Sequence, residues 1–340
     1  VDERDELRAA VRGLIDRLGG TTAARRVMET ESGYDAELWG RLAGELGLAG
    51  LAIDEEHGGQ GATFVELAVA LEELGRAVLP APFLSSVVLA AGAAGGDADA
   101  LKRIAAGTPA ALAYGDGHAS ATQDGDVWRI TGDYNHVLDG PAAEFFIVAV
   151  GDDVFVVEAA ADGVRRTPLA TLDQTRRQAR VTMENASGRR VEDADVDRAL
   201  DLGRVALAAE AVGGARWCLE VTVAYAKTRE QFGRPIGSFQ ALKHRMADMH
   251  VLVETAAATA EHAAWVAAYD VDQLPLVAAM AKTYCADAYA QLAQETIQLH
   301  GGIGFTWEHD AHLHLKRAWS NRLLLGEPRQ LRARVADLAL

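Results

Sequence analysis

Two segments hold the side chains best suited to chemistry: Arg229-Glu-Gln-Phe-Gly-Arg-Pro-Ile-Gly-Ser-Phe-Gln240 and Gln298-Leu-His-Gly-Gly-Ile-Gly304. Arg229 offers a planar fork of donors that matches a pyrophosphate. Phe232 supplies a ring that can lie on a flat heterocycle or a ribose. Gly233 and Gly237 let the chain turn sharply. Gln240 carries the donor and acceptor that an adenine edge requires. In the second segment Gln298 leads to Gly301, Gly302 and Gly304, whose missing side chains let backbone come close to a ligand. Together these residues describe a grip for a dinucleotide. As structure alone, they read as a helix-end loop with a surface arginine.

Other reactive side chains form weaker patterns. His300, His309, His312 and His314 crowd together, and His309 and His312 are spaced to share a helix face. No carboxylate or thiolate completes a ligand set, so no metal site is expected. Cys218 and Cys285 lie in apolar helical stretches without CxxC or zinc spacing, and they read as buried reduced thiols. Trp307, Trp319 and the methionines of the C-terminal helices read as packing residues.

Three regions must position these groups. Residues 1 to about 110 read as helices: Trp39, Leu42, Leu46 and Ala49 fall on one helical face. Gly58-Gly59-Gln60-Gly61 breaks the chain, and Thr63 is placed to cap the next helix. That helix carries Leu67, Ala70, Leu71 and Leu74 on one side before Pro80 and Pro82. From about 111 to 195 the runs 127–131, 145–150, 154–157, 164–167 and 179–183 are short and β-rich. Gly125-Asp126, Asp139-Gly140, Gly151-Asp152 and Asp162-Gly163 mark turns beside them. This predicts a small antiparallel sheet. No GxGxxG follows a strand, so a Rossmann unit is disfavoured. From about 196 to 340 three long stripes step by three and four: Leu207 to Tyr225, Leu242 to Ala260, and Leu276 to Ile297. They predict an antiparallel helical bundle.

Composition narrows the class. The chain has 340 residues, enough for two or three compact units. A net charge of -16 argues against nucleic acid as a partner. The opening VDERDELRAAVRGL is charged and does not read as a signal peptide. No run of apolar residues is long enough to span a bilayer, so a cytoplasmic protein without a membrane partner is expected.

The order of the regions, together with the two segments above, resembles the acyl-CoA dehydrogenase family over nearly the whole chain. Trp39 to Gly61 and Leu74-Gly-Arg-Ala-Val-Leu-Pro80 look like its N-terminal part. Phe155-Val-Val-Glu158, Gly163-Val164 and Leu172-Asp-Gln-Thr-Arg-Arg177 look like its sheet. The resemblance implies an α+β fold with an N-terminal helical domain (1–110), a middle antiparallel β domain (111–195) and a C-terminal four-helix-bundle domain (196–340). It implies a flavoprotein of lipid metabolism that removes an α-proton and a β-hydride from an acyl-CoA thioester. A carboxylate takes the proton and FAD takes the hydride. In relatives Arg229, Phe232, Gly233, Gln240, Gln298, Gly301, Gly302 and Gly304 would grip the adenosine and pyrophosphate of an FAD held mainly by a neighbouring subunit.

Against that pattern the base is missing. Most relatives carry a glutamate in a Glu-Gly-Thr run after the glycine loop. The matching run here is Leu323-Leu-Leu-Gly-Glu-Pro328, with Leu325 at the base position. The other family position falls on Gly203. Glu210 stands about 10 Å further along the helix, at 1.5 Å per residue. Glu327 and Glu210 are therefore the remaining candidates for a displaced base. The sheet also departs: Ala113 to Ala119 lacks the usual Thr-Glu pair, and His136-Val-Leu138 replaces a Trp-Ile-Thr strand. The adenosine-gripping half is kept and the flavin-gripping half is altered.

The resemblance therefore implies one subunit of a dimer or an α2β2 heterotetramer, with a second acyl-CoA dehydrogenase-like chain supplying the base. Such two-chain enzymes act on bulky thioesters, steroid side-chain CoA among them. The alternatives are a self-sufficient homo-oligomer with a displaced base, a non-catalytic scaffold, and a flavin oxidase.

Overall fold

The computed structural model describes residues 3–30, 33–115, 118–125 and 127–340. The N-terminal helices are α1 (Glu3–Arg17), α2 (Gly20–Met28), α3 (Ala36–Gly44), α4 (Phe64–Arg76), α5 (Ala91–Ala93) and α6 (Ala98–Ala105). A π-helix, Phe83–Ala90, precedes α5 and is buried throughout. Asp35 caps α3 by accepting from the N–H groups of Glu37 and Leu38. The stripe from Trp39 to Ala49 is not one helix. It stops at Gly44, and a 3-10 turn (Leu48–Gly50) carries Ala49, while Leu48 rather than Leu46 enters the core.

Thr63 does cap α4. Its hydroxyl accepts from Val65 N–H at 3.2 Å, and Glu66 reaches back to the Thr63 N–H at 3.0 Å. Leu67, Ala70, Leu71 and Leu74 are buried along one side. The helix ends before the prolines, at Arg76, and Val78 follows with a φ of 45°.

The sheet contains β1 (Ala110–Ala113), β2 (Ser120–Asp124), β3 (Val127–Leu138), β4 (Phe145–Val150), β5 (Asp153–Glu158), β6 (Val164–Pro168) and β7 (Gln178–Val191). Its order is β1-β4-β5-β7-β3-β2, with β6 also on β7. All ladders are antiparallel except β1 with β4, which run parallel. The expected strands lie inside these longer ones. β1 and β2 were not legible, because Ala-rich and polar runs carry little β signal. Ile130, Tyr134, Phe146, Val148, Phe155, Val157, Val181 and Met183 form the apolar core on one face. The turns at Gly125, Asp139, Gly151 and Gly163 all have positive φ. Asp126 and the central Asp116-Gly117 of the 113–119 run lie outside the described residues.

The C-terminal helices are α7 (Val196–Thr228), α8 (Gln240–Tyr269), α9 (Leu274–His300), α10 (Ala311–Leu323) and α11 (Pro328–Ala339). Small residues dominate the buried faces of α7 to α9, among them Ala211, Ala215, Ala256, Ala260, Ala286 and Ala293. Small side chains permit close helix approach. Arg245 near the start of α8 bonds Glu295 near the end of α9 at 2.7 Å, so these two helices run antiparallel.

The chain separates into two compact units. One comprises Val1–Thr21, Ala68–Leu79 and Arg204–Leu340, and the other Thr22–Leu67 and Pro80–Gly203. The first unit holds both dinucleotide segments and both carboxylate candidates. No helix among the described residues is long and apolar enough to cross a membrane.

Candidate functional site

The end of α7 leads directly into the first segment. Arg229 N–H bonds the Tyr225 carbonyl at 2.8 Å, and Ile236 N–H returns to the Arg229 carbonyl at 2.8 Å. Between them Glu230–Gln231 pairs with Arg234–Pro235 as a short hairpin. Its two central residues, Phe232 and Gly233, have φ of 53° and 75°. A tight hairpin needs both central residues left-handed. Glycine adopts that state freely, but a bulky residue costs about 1–2 kcal/mol there. The cost is borne at a ring that is 91% exposed and meets Phe239 edge-on, with ring centroids 6.2 Å apart. Arg234 lies over Phe239 at 4.0 Å. The exposed Arg229 side chain has no hydrogen bond or ion pair among the described residues. Gly237 serves a close approach: a Cβ there would lie 2.8 Å from the Ala226 carbonyl. Gln240 is the first residue of α8 and is exposed.

The second segment closes α9. Gly301 takes a φ of 63° and its N–H reaches the carbonyls of Ile297 and Gln298. A 3-10 turn follows from Gly301 to Phe305. The space where side chains of Gly301 and Gly302 would project is open. Gly304 differs: a Cβ would meet His300 Cβ at 2.9 Å, so its small size has a reason inside the chain. Gln298 is exposed on the last turn of α9. The Tyr225 ring stacks on His300 at 4.4 Å. The stack and the Arg245–Glu295 bond bring Arg229, Phe232, Gly233, Gln240, Gln298, Gly301, Gly302 and Gly304 to one end of the α7–α8–α9 bundle. An unpartnered guanidinium, an open glycine turn and a bare aromatic ring suit an anionic ligand with flat rings.

The run that would hold a base is built differently. Leu325 has a φ of 56° and Gly326 one of 117°. Two cations hold this turn through its carbonyls. Arg204 donates to Leu325 O at 2.9 Å, and the buried Lys282 amine donates to Arg322 O at 2.8 Å and Gly326 O at 2.6 Å. Burial, with Arg204 nearby, pushes the Lys282 pKa down to about 8. Neither cation was singled out in the sequence. Lys282 was legible only as a charge inside an apolar helical run.

Both carboxylate candidates have other employment. Glu327 is exposed and caps α11 in a reciprocal capping box, with its N–H 3.0 Å from Gln330 Oε1. Glu210 is buried, with its carboxylate 3.8 Å from the Arg317 guanidinium. His136 has a φ of 59° at a register shift in β3.

The four histidines do not gather around a metal position. His309 precedes α10, so it does not share a helix face with His312. Among the described residues no three His, Cys, Asp or Glu are arranged to hold a metal. Instead the rings pack: His314 stacks on Trp217 at 3.8 Å and meets the Tyr289 hydroxyl at 2.8 Å. Burial holds His314 well below the usual histidine range. Cys218 and Cys285 are buried, and burial pushes both thiols up to about 12. Three expected packing residues are partly solvated. Trp307 is 59% exposed beneath Lys316, Trp319 is flanked by Arg322, and Met280 is 50% exposed.

Comparison with known proteins gives consistent matches. The family model "Acyl-CoA dehydrogenase, N-terminal domain" matches residues 1–107, and "Acyl-CoA dehydrogenase, C-terminal domain" matches residues 193–340. The chain is 37% identical to acyl-CoA dehydrogenase IpdE2 of Mycobacterium tuberculosis, over 98% of this chain and 96% of that one. Among solved structures it is similar to the ChsE4-ChsE5 complex from Mycobacterium tuberculosis, with a TM-score of 0.90 and 31% identity over 100% of this chain and 98% of the matched chain. It is likewise similar to the Tcur3481-Tcur3483 steroid ACAD G363A variant, with a TM-score of 0.90 and 30% identity over 99% and 97%.

Proposed function

The chain belongs to the acyl-CoA dehydrogenase family, and we propose that it is the subunit of a two-chain, FAD-dependent member that supplies the adenosine and pyrophosphate grip while its partner supplies the base. The observation that carries this reading is a contrast within one helical unit. At the bundle end, Arg229 has no hydrogen bond or ion pair among the described residues, and the Phe232 ring stands 91% exposed. At the base position stands Leu325, which cannot accept a proton, on a turn held by Arg204 and Lys282.

FAD, when bound, supplies the acceptor for the β-hydride. Toward it this chain offers Arg229 for the pyrophosphate, Phe232 for a flat ring or ribose, and Gln240 and Gln298 for polar edges. Gly301 and Gly302 admit the ligand to backbone distance. Removal of the α-proton falls to a carboxylate of the second chain, because Glu210 is tied to Arg317 and Glu327 caps α11. The similarity to the ChsE4-ChsE5 complex and to the Tcur3481-Tcur3483 steroid ACAD favours an acyl-CoA dehydrogenase-like partner and a bulky, steroid-type acyl group, and we infer a dimer or an α2β2 assembly.

The visible spectrum of the chain purified alone, and again after co-expression with a candidate partner, tests this. A colourless chain that turns yellow in the complex is expected. One FAD per chain in the isolated protein, with turnover of an acyl-CoA, would establish a self-sufficient enzyme instead.

A further inference from the structure

The two grip segments sit at the ends of different helices, and something must fix their separation. A pyrophosphate contact made by Arg229 and a backbone contact made by Gly301 serve the same ligand only if α7 and α9 keep a set distance there. The structure places two unassigned rings at that junction. Tyr225, on the last turn of α7, stacks on His300 with centroids 4.4 Å apart and planes 26° apart. The Tyr225 carbonyl also accepts the Arg229 N–H at 2.8 Å, so the same residue anchors the arginine backbone.

His300 is fixed from several sides. It is 3% exposed, and its Nδ1 lies 2.7 Å from the Thr296 carbonyl, which makes Nδ1 the protonated nitrogen. His309 covers it, with ring centroids 4.4 Å apart, and Gly304 leaves no room for a side chain beside its Cβ. Its Nε2 is buried without a hydrogen-bond partner among the described residues. Burial holds its pKa below the usual value, so the ring stacks as a neutral imidazole at neutral pH. Gly301, where the chain turns left-handed, is the next residue.

We propose that Tyr225 and His300 are positioning residues of the cofactor grip: their stack sets Arg229 relative to the Gly301-Gly302 turn, and neither ring touches the cofactor. This rests on the FAD reading above. Loss of the stack would be felt mainly as misplacement of Arg229.

The test uses the flavin-loaded complex and follows FAD release after dilution by recovered flavin fluorescence. Tyr225→Leu and His300→Ala are each expected to speed release about tenfold, while Tyr225→Phe and His300→Phe, which keep a ring, stay within about twofold. In an Arg229→Ala background, Tyr225→Leu should add less than about twofold, because it acts through the arginine. Unchanged release in both ring-loss variants, or the same tenfold factor in the Arg229→Ala background, overturns the proposal. Should Tyr225→Leu fail to fold, His300→Ala with and without Arg229→Ala gives the same comparison. A complex in which Arg229→Ala itself leaves release unchanged removes Arg229 from the FAD grip on which this proposal rests, which is a separate outcome.

Discussion

The Glu210 carboxylate and the Arg317 guanidinium lie 3.8 Å apart, and both side chains are buried. Arg317 also reaches toward the Val78 carbonyl at 3.4 Å. The pair gives the Glu210 carboxylate a structural role, its charge matched to a buried cation, and on the two-chain reading Glu210 is not the base. Glu210→Gln would strand part of that charge and should cost about 3 kcal/mol of stability. Urea unfolding measures this. A variant with unchanged stability and abolished turnover would instead make Glu210 a catalytic base.

Glu327→Gln separates capping from catalysis. The capping box on α11 loses its charged acceptor, so about 1 kcal/mol of stability should go. Turnover by the assembled protein should remain nearly intact. A fall of several orders of magnitude in kcat would identify Glu327 as the proton acceptor and end the two-chain reading.

Arg229→Ala removes an exposed guanidinium that has no hydrogen bond or ion pair among the described residues. Stability should therefore move little. FAD retention in the complex should weaken by about 1.5–3 kcal/mol, the range for hydrogen bonds to a charged group. Flavin content after gel filtration reads the difference. Undiminished flavin would remove Arg229 from the grip.

How far the sequence carried depended on how local the signal was. The two glycine-bearing segments and the Thr63 cap were legible because turn chemistry is written in adjacent residues. The long α7, α8 and α9 followed from their periodicity. The helix after Asp35 was overextended because apolar spacing continues through a 3-10 turn that buries Leu48 instead of Leu46. Other features depend on residues far apart in the chain. Nothing beside Lys282 announces the carbonyls of Arg322 and Gly326, and nothing beside Glu210 announces Arg317. The Tyr225–His300 stack joins the ends of two helices that only folding brings together.

Lys282 makes a prediction about pH. Its buried amine binds two carbonyls of the turn that carries Leu325, and burial with Arg204 nearby lowers its pKa to about 8. In the unfolded chain the same amine has a pKa of about 10.4. Below about pH 8 both states hold the proton, and the contribution to stability is flat. Between about 8 and 10.4 the unfolded state binds more protons than the folded one, so this residue makes the fold more stable as pH rises. Lys282→Met removes the titration together with the two hydrogen bonds. The unfolding free energy of the native protein relative to Lys282→Met should rise by about 2 kcal/mol from pH 7.5 to 9.5. Urea titrations at the two pH values measure it. A difference that stays constant would mean that the carbonyls of Arg322 and Gly326 keep the ammonium charged, and that the turn is held by a permanent cation.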